Sequence, residues 1–282
     1  MKILILGAKG MLGHELARAF SDEGRYEITL WDREELDITD PSAVNMQIKE
    51  LMPQVIINAA AYTAVDQAES AGEIVYLINS TAVEYLAAVA KETGALLVHF
   101  STDYVFDGLN AAGYREDHAV REPVTVYGNS KKLAEEAIEK VDPRHLLIRT
   151  QWLFGASGKN FIETMLRLAG EGKELRVVND QFGSPTYARD LAEKVREMVE
   201  ENRESGIYHV TNSGTCDWHK FALKIFELSD VHPSVIAVGS EEFAAPAKRP
   251  TYSMLINTKL PPLRSYEDAL RAYLVETGRI KE

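Results

Sequence analysis

One cysteine, Cys216, in 282 residues excludes an intramolecular disulfide and a thiolate metal cluster, so a reduced cytoplasm is the expected setting. Basic charge is short as well: 31 Lys and Arg stand against 43 Asp and Glu, a formal net charge of -12. A broad nucleic-acid or anionic-membrane surface needs clustered cations, so neither partner is expected, although a local basic pocket for one diphosphate is still allowed. Long apolar runs are also missing. The stretch around Val55 to Val65 is broken by Asn58 and Thr63 and falls far short of a bilayer span. Ile3-Leu4-Ile5-Leu6 meets a glycine turn too soon for a signal-peptide core. The histidines, among them His14, His99 and His118, show no metal-ligand spacing and default to structural or surface roles. Ser157 and Ser184 lack the glycine pattern of a nucleophile elbow, which argues against acyl transfer. No repeat, low-complexity tract or flexible linker interrupts the chain.

What is present is a rhythm. The first half alternates short apolar runs with amphipathic stretches, which predicts strands at Lys2-Leu6, Glu27-Trp31, Val55-Asn58, Leu96-Ser101 and Leu146-Thr150. Helices are predicted at Met11-Glu23, Pro41-Leu51, Ile74-Thr93 and Val126-Val141, with Pro41 just inside a start and Gly94 at a stop. Strands apolar on both faces imply helices on both sides, hence an α/β, doubly wound parallel sheet of Rossmann type. Past Thr150 the rhythm loosens into turns and proline-rich stretches, which predicts a smaller α/β substrate lobe. A helix from about Tyr187 to Asn202 and a strand at Ile207-Val210 would return to the main sheet. The expected division is therefore 1–150 plus about 186–212 for the dinucleotide-binding domain, and about 151–185 with 213–282 for the substrate lobe.

Gly7-Ala8-Lys9-Gly10-Met11-Leu12-Gly13 joins the first strand to the first helix. A diphosphate needs backbone N–H groups at a helix N-terminus and close approach unobstructed by side chains, which Gly7 and Gly10 permit; Gly13 lets the helix lie near the sheet. Asp32 ends the next strand, where a carboxylate would hold ribose hydroxyls and favour NAD, while Arg33 beside it would suit a 2'-phosphate. NADH and NADPH both remain open.

Tyr127-Gly128-Asn129-Ser130-Lys131 places a phenol and an amine on one face of a helix start. The pair follows a strand whose C-terminal end lies on the ligand side of an open parallel sheet, with Thr102 just beyond that strand. An ammonium near the phenol would depress its pKa toward the working pH for proton transfer, which makes Tyr127 the candidate acid, Lys131 its partner and Thr102 a hydrogen-bond donor to the substrate oxygen.

These residues together resemble the extended short-chain dehydrogenase/reductase superfamily, and longer strings are similar to its dTDP-4-dehydrorhamnose reductase branch. The strings are Ala59-Ala60-Ala61-Tyr62-Thr63-Ala64-Val65-Asp66, Ser101-Thr102-Asp103-Tyr104-Val105-Phe106-Asp107-Gly108, Arg149-Thr150-Gln151-Trp152-Leu153-Phe154-Gly155, Asp180 to Tyr187 and Arg249-Pro250-Thr251-Tyr252-Ser253. The resemblance implies hydride transfer from NADPH or NADH to the C4 ketone of a dTDP-4-dehydro sugar, with Tyr127 as proton donor. By the same resemblance Asp37, Ile38, Ala59, Ala60, Ala61, Tyr62 and Asn79 lie on the cofactor side. Thr63, Val65, Asp103 and Trp152 line the sugar pocket, and Lys248 and Arg249 meet the diphosphate. Gln151, where a serine is more familiar, and Ile256-Asn257, in place of an aspartate, depart from the branch in the substrate lobe.

Some members of the branch dimerise around a magnesium ion, and Glu15 matches one ligand position; no other ligand can be placed, so no required metal is expected. The expected partners are the dTDP-sugar and a second copy of the chain. Three competing expectations stand beside the reductase. One is an NAD(P)-binding regulatory subunit resembling that of methionine adenosyltransferase. Another is a reductase of a different nucleotide 4-keto-6-deoxysugar. The last is an epimerase or dehydratase, which would recycle its hydride with no net nicotinamide consumption; a dehydratase would also want a carboxylate pair, where Asp103 is followed by Tyr104.

Overall fold

Ile3, Leu4, Ile5 and Leu6 are all sequestered from solvent, the two-sided burial that a strand covered by helices on both faces requires. The computed structural model describes every residue except Glu23, Arg121, Ala244 and Glu282. Six strands form the main sheet: β1 (Lys2–Leu6), β2 (Glu27–Trp31), β3 (Val55–Asn58), β4 (Leu96–Thr102), β5 (His145–Thr150) and β6 (Gly206–His209). Their order is β6-β5-β4-β3-β1-β2, and every neighbouring pair is parallel. The chain runs outward in opposite directions from β1 and β3, so the crevice at their C-terminal ends is a topological switch point, where open α/β sheets take ligands.

The helices that frame the sheet and the second lobe are α1 (Met11–Ala19), α2 (Pro41–Leu51), α3 (the continuous rod Gly72–Thr93), α4 (Val126–Val141), α5 (Phe161–Gly170), α6 (Ala188–Glu200), α7 (Trp218–Leu228) and α8 (Tyr266–Glu276). Because side chains alternate along a strand, each strand feeds two cores. Ile3, Ile5, Ile57, Val98 and Ile148 pack with α1 and α6, whereas Leu4, Leu6, Ile56, Leu97 and Leu147 pack with α2, α3 and α4.

Local signals set the boundaries. The Asp40 carboxylate accepts from Ser42 N and Ala43 N ahead of Pro41, and Gly94 adopts φ +73° to end α3. Helix α1 stops at Ala19, short of the expected Glu23, which lies outside the described residues; Ser21 Oγ donates to Arg18 O and closes the last turn. Rod α3 starts at Gly72, before the expected Ile74, and carries a π-helical turn at Leu77–Thr81. By length and composition alone it would suffice to cross a bilayer. Ala82, Val83, Leu86, Ala87, Val89 and Ala90 are instead buried in the sheet's second core, as in a core helix.

Beyond β5 a third apolar core gathers Phe154, Ile162, Phe221, Ile225, Leu270 and Leu274 from α5, α7, α8 and their connections. Two short parallel pairs brace it: Leu153–Phe154 with Thr186–Tyr187, and Leu175–Val178 with Val235–Val238. Helix α6 and strand β6 then rejoin the first core, as the sequence predicts.

Candidate active site

The glycine turn is shaped by close backbone packing. Gly7 has φ +74°, and a Cβ there would lie 2.7 Å from Ala60 N; a Cβ on Gly13 would lie 2.2 Å from Gly7 O. Gly10 differs: beyond its chain neighbours and own helix, an added Cβ would meet only Gly7 O, at 3.2 Å, among the described residues, so the space in front of it is open. Gly10 is also the N-cap of α1 and offers no side chain to the first-turn N–H groups, which leaves them to an outside acceptor. A dinucleotide diphosphate fits this cradle by its donor set and by the cleared approach. Asp32 sits at the lip, its carboxylate accepting from Lys9 N (3.0 Å) and Arg33 N (2.9 Å). The Lys9 ammonium pairs with Glu34 at 2.7 Å, while Arg33 is exposed. Asp37 turns its carboxylate onto Thr39, whereas the Ile38 side chain is buried in the second core.

The turn after β3 forms the opposite wall. Ala60 N donates to Asn58 Oδ1 at 3.1 Å. Asn79, brought inward by the π turn, takes Tyr62 N (2.8 Å) and gives its amide hydrogens to Tyr62 O (3.0 Å) and Ser130 Oγ (3.1 Å). Asn79 therefore clamps the 59–63 loop to α4, and its amide is fully used in doing so. Ala61 and Tyr62 are half-buried along this wall, and Thr63 is exposed.

Thr102, Tyr127 and Lys131 come together where β4 ends and α4 begins. Thr125 caps α4, accepting from Gly128 N at 2.9 Å, and Gly128 leaves no room for a Cβ, which would lie 2.2 Å from Tyr104 O. That contact presses the helix start onto the turn after β4. Burial and the nearby Asp103 carboxylate push the Tyr127 phenol up to about 12, against the pull of a Thr102 hydrogen bond. The expected depression by Lys131 is absent. Its Nζ turns instead to His99 Nε2 at 2.9 Å, and burial lowers Lys131 to about 8, partly offset by Glu135. A protonated phenol is the form a proton donor needs.

Asp103 is buried, and desolvation raises its carboxyl to about 6 against hydrogen bonds from Ser253 and Thr102 (2.9 Å). Gln151, one of the departures from the branch, steers Ser253: its amide nitrogen donates to Ser253 Oγ at 3.1 Å while its oxygen takes Leu255 N. Asn257, the other, closes its own turn by donating to Leu260 O.

A groove of about 990 Å³ opens on the second-lobe side, lined by Asp66, Phe161, Trp218, Lys248 and Arg249 among others. Val65, half-buried, begins the helical turn Val65–Ala68 that carries Asp66. Arg249 is engaged rather than free: it binds Asp66 through two hydrogen bonds (3.1 and 2.8 Å), and it also contacts Tyr104, which meets Tyr127 edge-to-face at 5.7 Å. Lys248 is exposed. Trp152, at φ +48°, stacks on Trp218 with ring centroids 3.7 Å apart. Glu15 is buried in α1, its carboxyl raised by burial and Glu276, with Oε2 unpartnered among the described residues. Among the described residues no three His, Cys, Asp or Glu gather to hold a metal.

The sequence gives His99 only a structural or surface role and Asn58 only a place at a strand end, and it singles out nothing at Trp218. His99 and Ser101 are alternate polar residues on one face of an otherwise apolar strand, a detectable signal, but their partners lie 32 to 41 residues away.

Known proteins agree with this geometry. The family profile described as the RmlD substrate binding domain matches residues 1–278. The chain is 42% identical to the spore coat polysaccharide biosynthesis protein SpsK of Bacillus subtilis, over 98% of this chain and 97% of that protein. It is 41% identical to a dTDP-4-dehydrorhamnose reductase of Burkholderia thailandensis, over 92% of both. The crystal structure of dTDP-4-dehydrorhamnose reductase from Bacillus anthracis, in complex with NADP, superposes with a TM-score of 0.94 at 38% identity, covering 98% of this chain and 99% of that one. With the glycine cradle and the threonine, tyrosine and lysine converging at one sheet edge, the chain belongs to the RmlD-type dTDP-4-dehydrorhamnose reductase family of extended short-chain dehydrogenases.

Proposed function

We propose that the chain reduces the C4 ketone of dTDP-4-dehydro-L-rhamnose to dTDP-L-rhamnose, using NADPH or NADH. The observation that carries this reading is the half-buried, protonated Tyr127 hydrogen-bonded to Thr102 where β4 ends. The Gly7 to Gly13 turn would hold the diphosphate of NADPH or NADH, which when bound would supply a hydride to C4. Thr102 would turn its hydroxyl from Asp103 to the ketone oxygen, and Tyr127 would give that oxygen its proton. Lys131, one turn along the same helix face, would hold the nicotinamide ribose, and the phenolate left by the transfer regains its proton from solvent. Asp103 keeps a negative charge from building on Tyr127 before the ketone arrives, since phenolate and carboxylate repel. Thr63, Val65, Asp103 and Trp152 form the sugar pocket, and Lys248 with Arg249 faces the diphosphate.

The lobes divide as 1–150 plus about 186–212 for the dinucleotide and about 151–185 with 213–282 for the sugar nucleotide, in a cytoplasmic homodimer. Purified protein mixed with the 4-keto sugar nucleotide and NADPH or NADH is expected to consume nicotinamide one for one with product. Binding of NADPH with no turnover across several dTDP-4-keto-6-deoxysugars would overturn the enzymatic reading in favour of a binding module. Turnover without net nicotinamide consumption would point to an epimerase.

A further inference from the structure

We infer that His99 is the positioning residue for Lys131, and that its tautomer is fixed from the cofactor side of the sheet through Asn58 and the Ala59-Ala60 turn. The role assigned to Lys131 rests on the proposed function; the tautomer does not.

The chain of hydrogen bonds has a direction. Ala60 N can only donate, and it donates to Asn58 Oδ1 at 3.1 Å, so the Asn58 amide nitrogen is the atom that faces His99 Nδ1 at 3.1 Å. An amide nitrogen also only donates, so His99 Nδ1 carries the lone pair and the ring proton sits on Nε2. Nε2–H then points at Lys131 Nζ, 2.9 Å away. A neutral amine can accept that proton; an ammonium cannot, because it has no lone pair. The arrangement that satisfies every group is thus the neutral amine beside the Nε2–H imidazole. Charging Lys131 demands the other tautomer, which sets His99 Nδ1–H against the Asn58 amide hydrogens and forfeits a buried hydrogen bond.

The surroundings agree. His99 and Lys131 are 1% and 2% exposed, so water does not repair a mismatch. Burial holds the imidazole well below its ordinary value, which excludes a doubly protonated ring. Glu135, one turn further along α4, is the charge that favours the ammonium, yet Arg149 from β5 takes both its oxygens (2.9 and 2.6 Å) and Ser101 from β4 adds a third hydrogen bond. His209 from β6 lies behind Arg149. Tyr127 precedes Lys131 on α4, and Asp103 reaches Tyr127 from the turn after β4. From β3 comes the Asn58 amide, and from α3 the Asn79 amide, which is spent on Tyr62 and Ser130. The first link of the wire is the wall of the cradle itself: Ala60 N is the atom a Gly7 side chain would strike. The orientation of that turn and the charge on the amine are therefore coupled.

The test uses the full chain with no substrate. In protein labelled with 15N-histidine, His99 is expected in the Nε2–H tautomer, and a wild-type His99 found as Nδ1–H overturns the inference. In Asn58→Asp the carboxylate still accepts from Ala60 N–H but now also accepts from Nδ1–H, so the tautomer reverses. The Lys131 titration, followed by the 13Cε shift of labelled lysine and assigned with Lys131→Arg, is then expected to move up by about one unit or more. His99→Gln, free to turn its oxygen toward an ammonium, is expected to move it the same way and serves if the first variant does not fold. A reversed tautomer with an unmoved Lys131 titration refutes the coupling. If the tautomer is as described but no dTDP-sugar is reduced, the proposed function fails while this inference stands.

Discussion

Replacing Gly10 and Gly13 separately by alanine tests the cradle, because the two glycines are present for different reasons. At Gly13 an added Cβ lies 2.2 Å from Gly7 O and 2.8 Å from Ala8 backbone atoms, more than an ångström short of ordinary contact, with backbone on both sides. Overpacking of this kind costs about 1–3 kcal/mol. For a chain of this length that lowers Tm by roughly 3–10 °C, and the distorted turn loses dinucleotide affinity as well. At Gly10 the φ of -74° suits any residue and an added Cβ would meet Gly7 O at 3.2 Å, so Gly10→Ala costs about 0.5 kcal/mol as a poorer N-cap. Its methyl group nevertheless occupies the space where a diphosphate must reach the first-turn amides, and Kd for NADPH is expected to rise at least about tenfold, or 1.4 kcal/mol. Titration calorimetry gives the affinities, and thermal melts with and without NADPH give the linkage. At a concentration about 100 times the wild-type Kd, the wild type gains about 2.7 kcal/mol and Gly10→Ala about half of that. Wild-type affinity in Gly10→Ala would refute the cradle, and an undisturbed melt in Gly13→Ala would refute the packing.

Tyr127→Phe is expected to lower kcat by roughly 100-fold or more with little change in NADPH Kd; full activity in steady-state assays removes Tyr127 from its role. Asp32→Ala is expected to weaken NADH more than NADPH, and equal losses in parallel titrations contradict the ribose assignment. Asp103 gives a pH signature. Its carboxyl is raised from 3.8 to about 6, so between those values the folded state holds more proton than the unfolded state and stability falls as pH rises, the cost being complete above about 6. Asp103→Asn is expected to flatten this slope and to gain on the order of 1–3 kcal/mol over wild type at pH 7 relative to pH 4; parallel denaturation curves at the two pH values would contradict it.

The sheet was legible because its central strands are largely apolar and buried along their length, as at Ile3 to Leu6 and Leu96 to Thr102, and five strands fall within a residue of their predicted limits. Thr102, Tyr127 and Lys131 were legible because short-range spacing on α4 and the strand end specify them. The π turn at Leu77–Thr81 was not, since nothing in local periodicity marks a widened turn, yet it aims Asn79 at Tyr62. His99 to Asn58, Asp66 to Arg249 and Trp152 to Trp218 are pairs made by topology, 41, 183 and 66 residues apart; Arg249 and Trp152 were singled out for substrate, but their partners gave no local signal. The direction of the Tyr127 shift was missed for the same reason: spacing put Lys131 on the right face, but a distant histidine takes up its amine.

Strand β6 has a consequence for anyone dissecting this protein. It arrives only after the chain has visited the second lobe, and it pairs with β5, all six of whose residues are buried. A fragment ending at Thr150 would keep the glycine turn and the tyrosine-lysine helix but bare the six-residue edge of β5 with its backbone groups unpaired, the template on which β-aggregates grow. Excising the first half as a minimal nucleotide binder is therefore expected to yield precipitate, whereas grafting Ala188–His209 directly after β5 through a short loop restores the missing border.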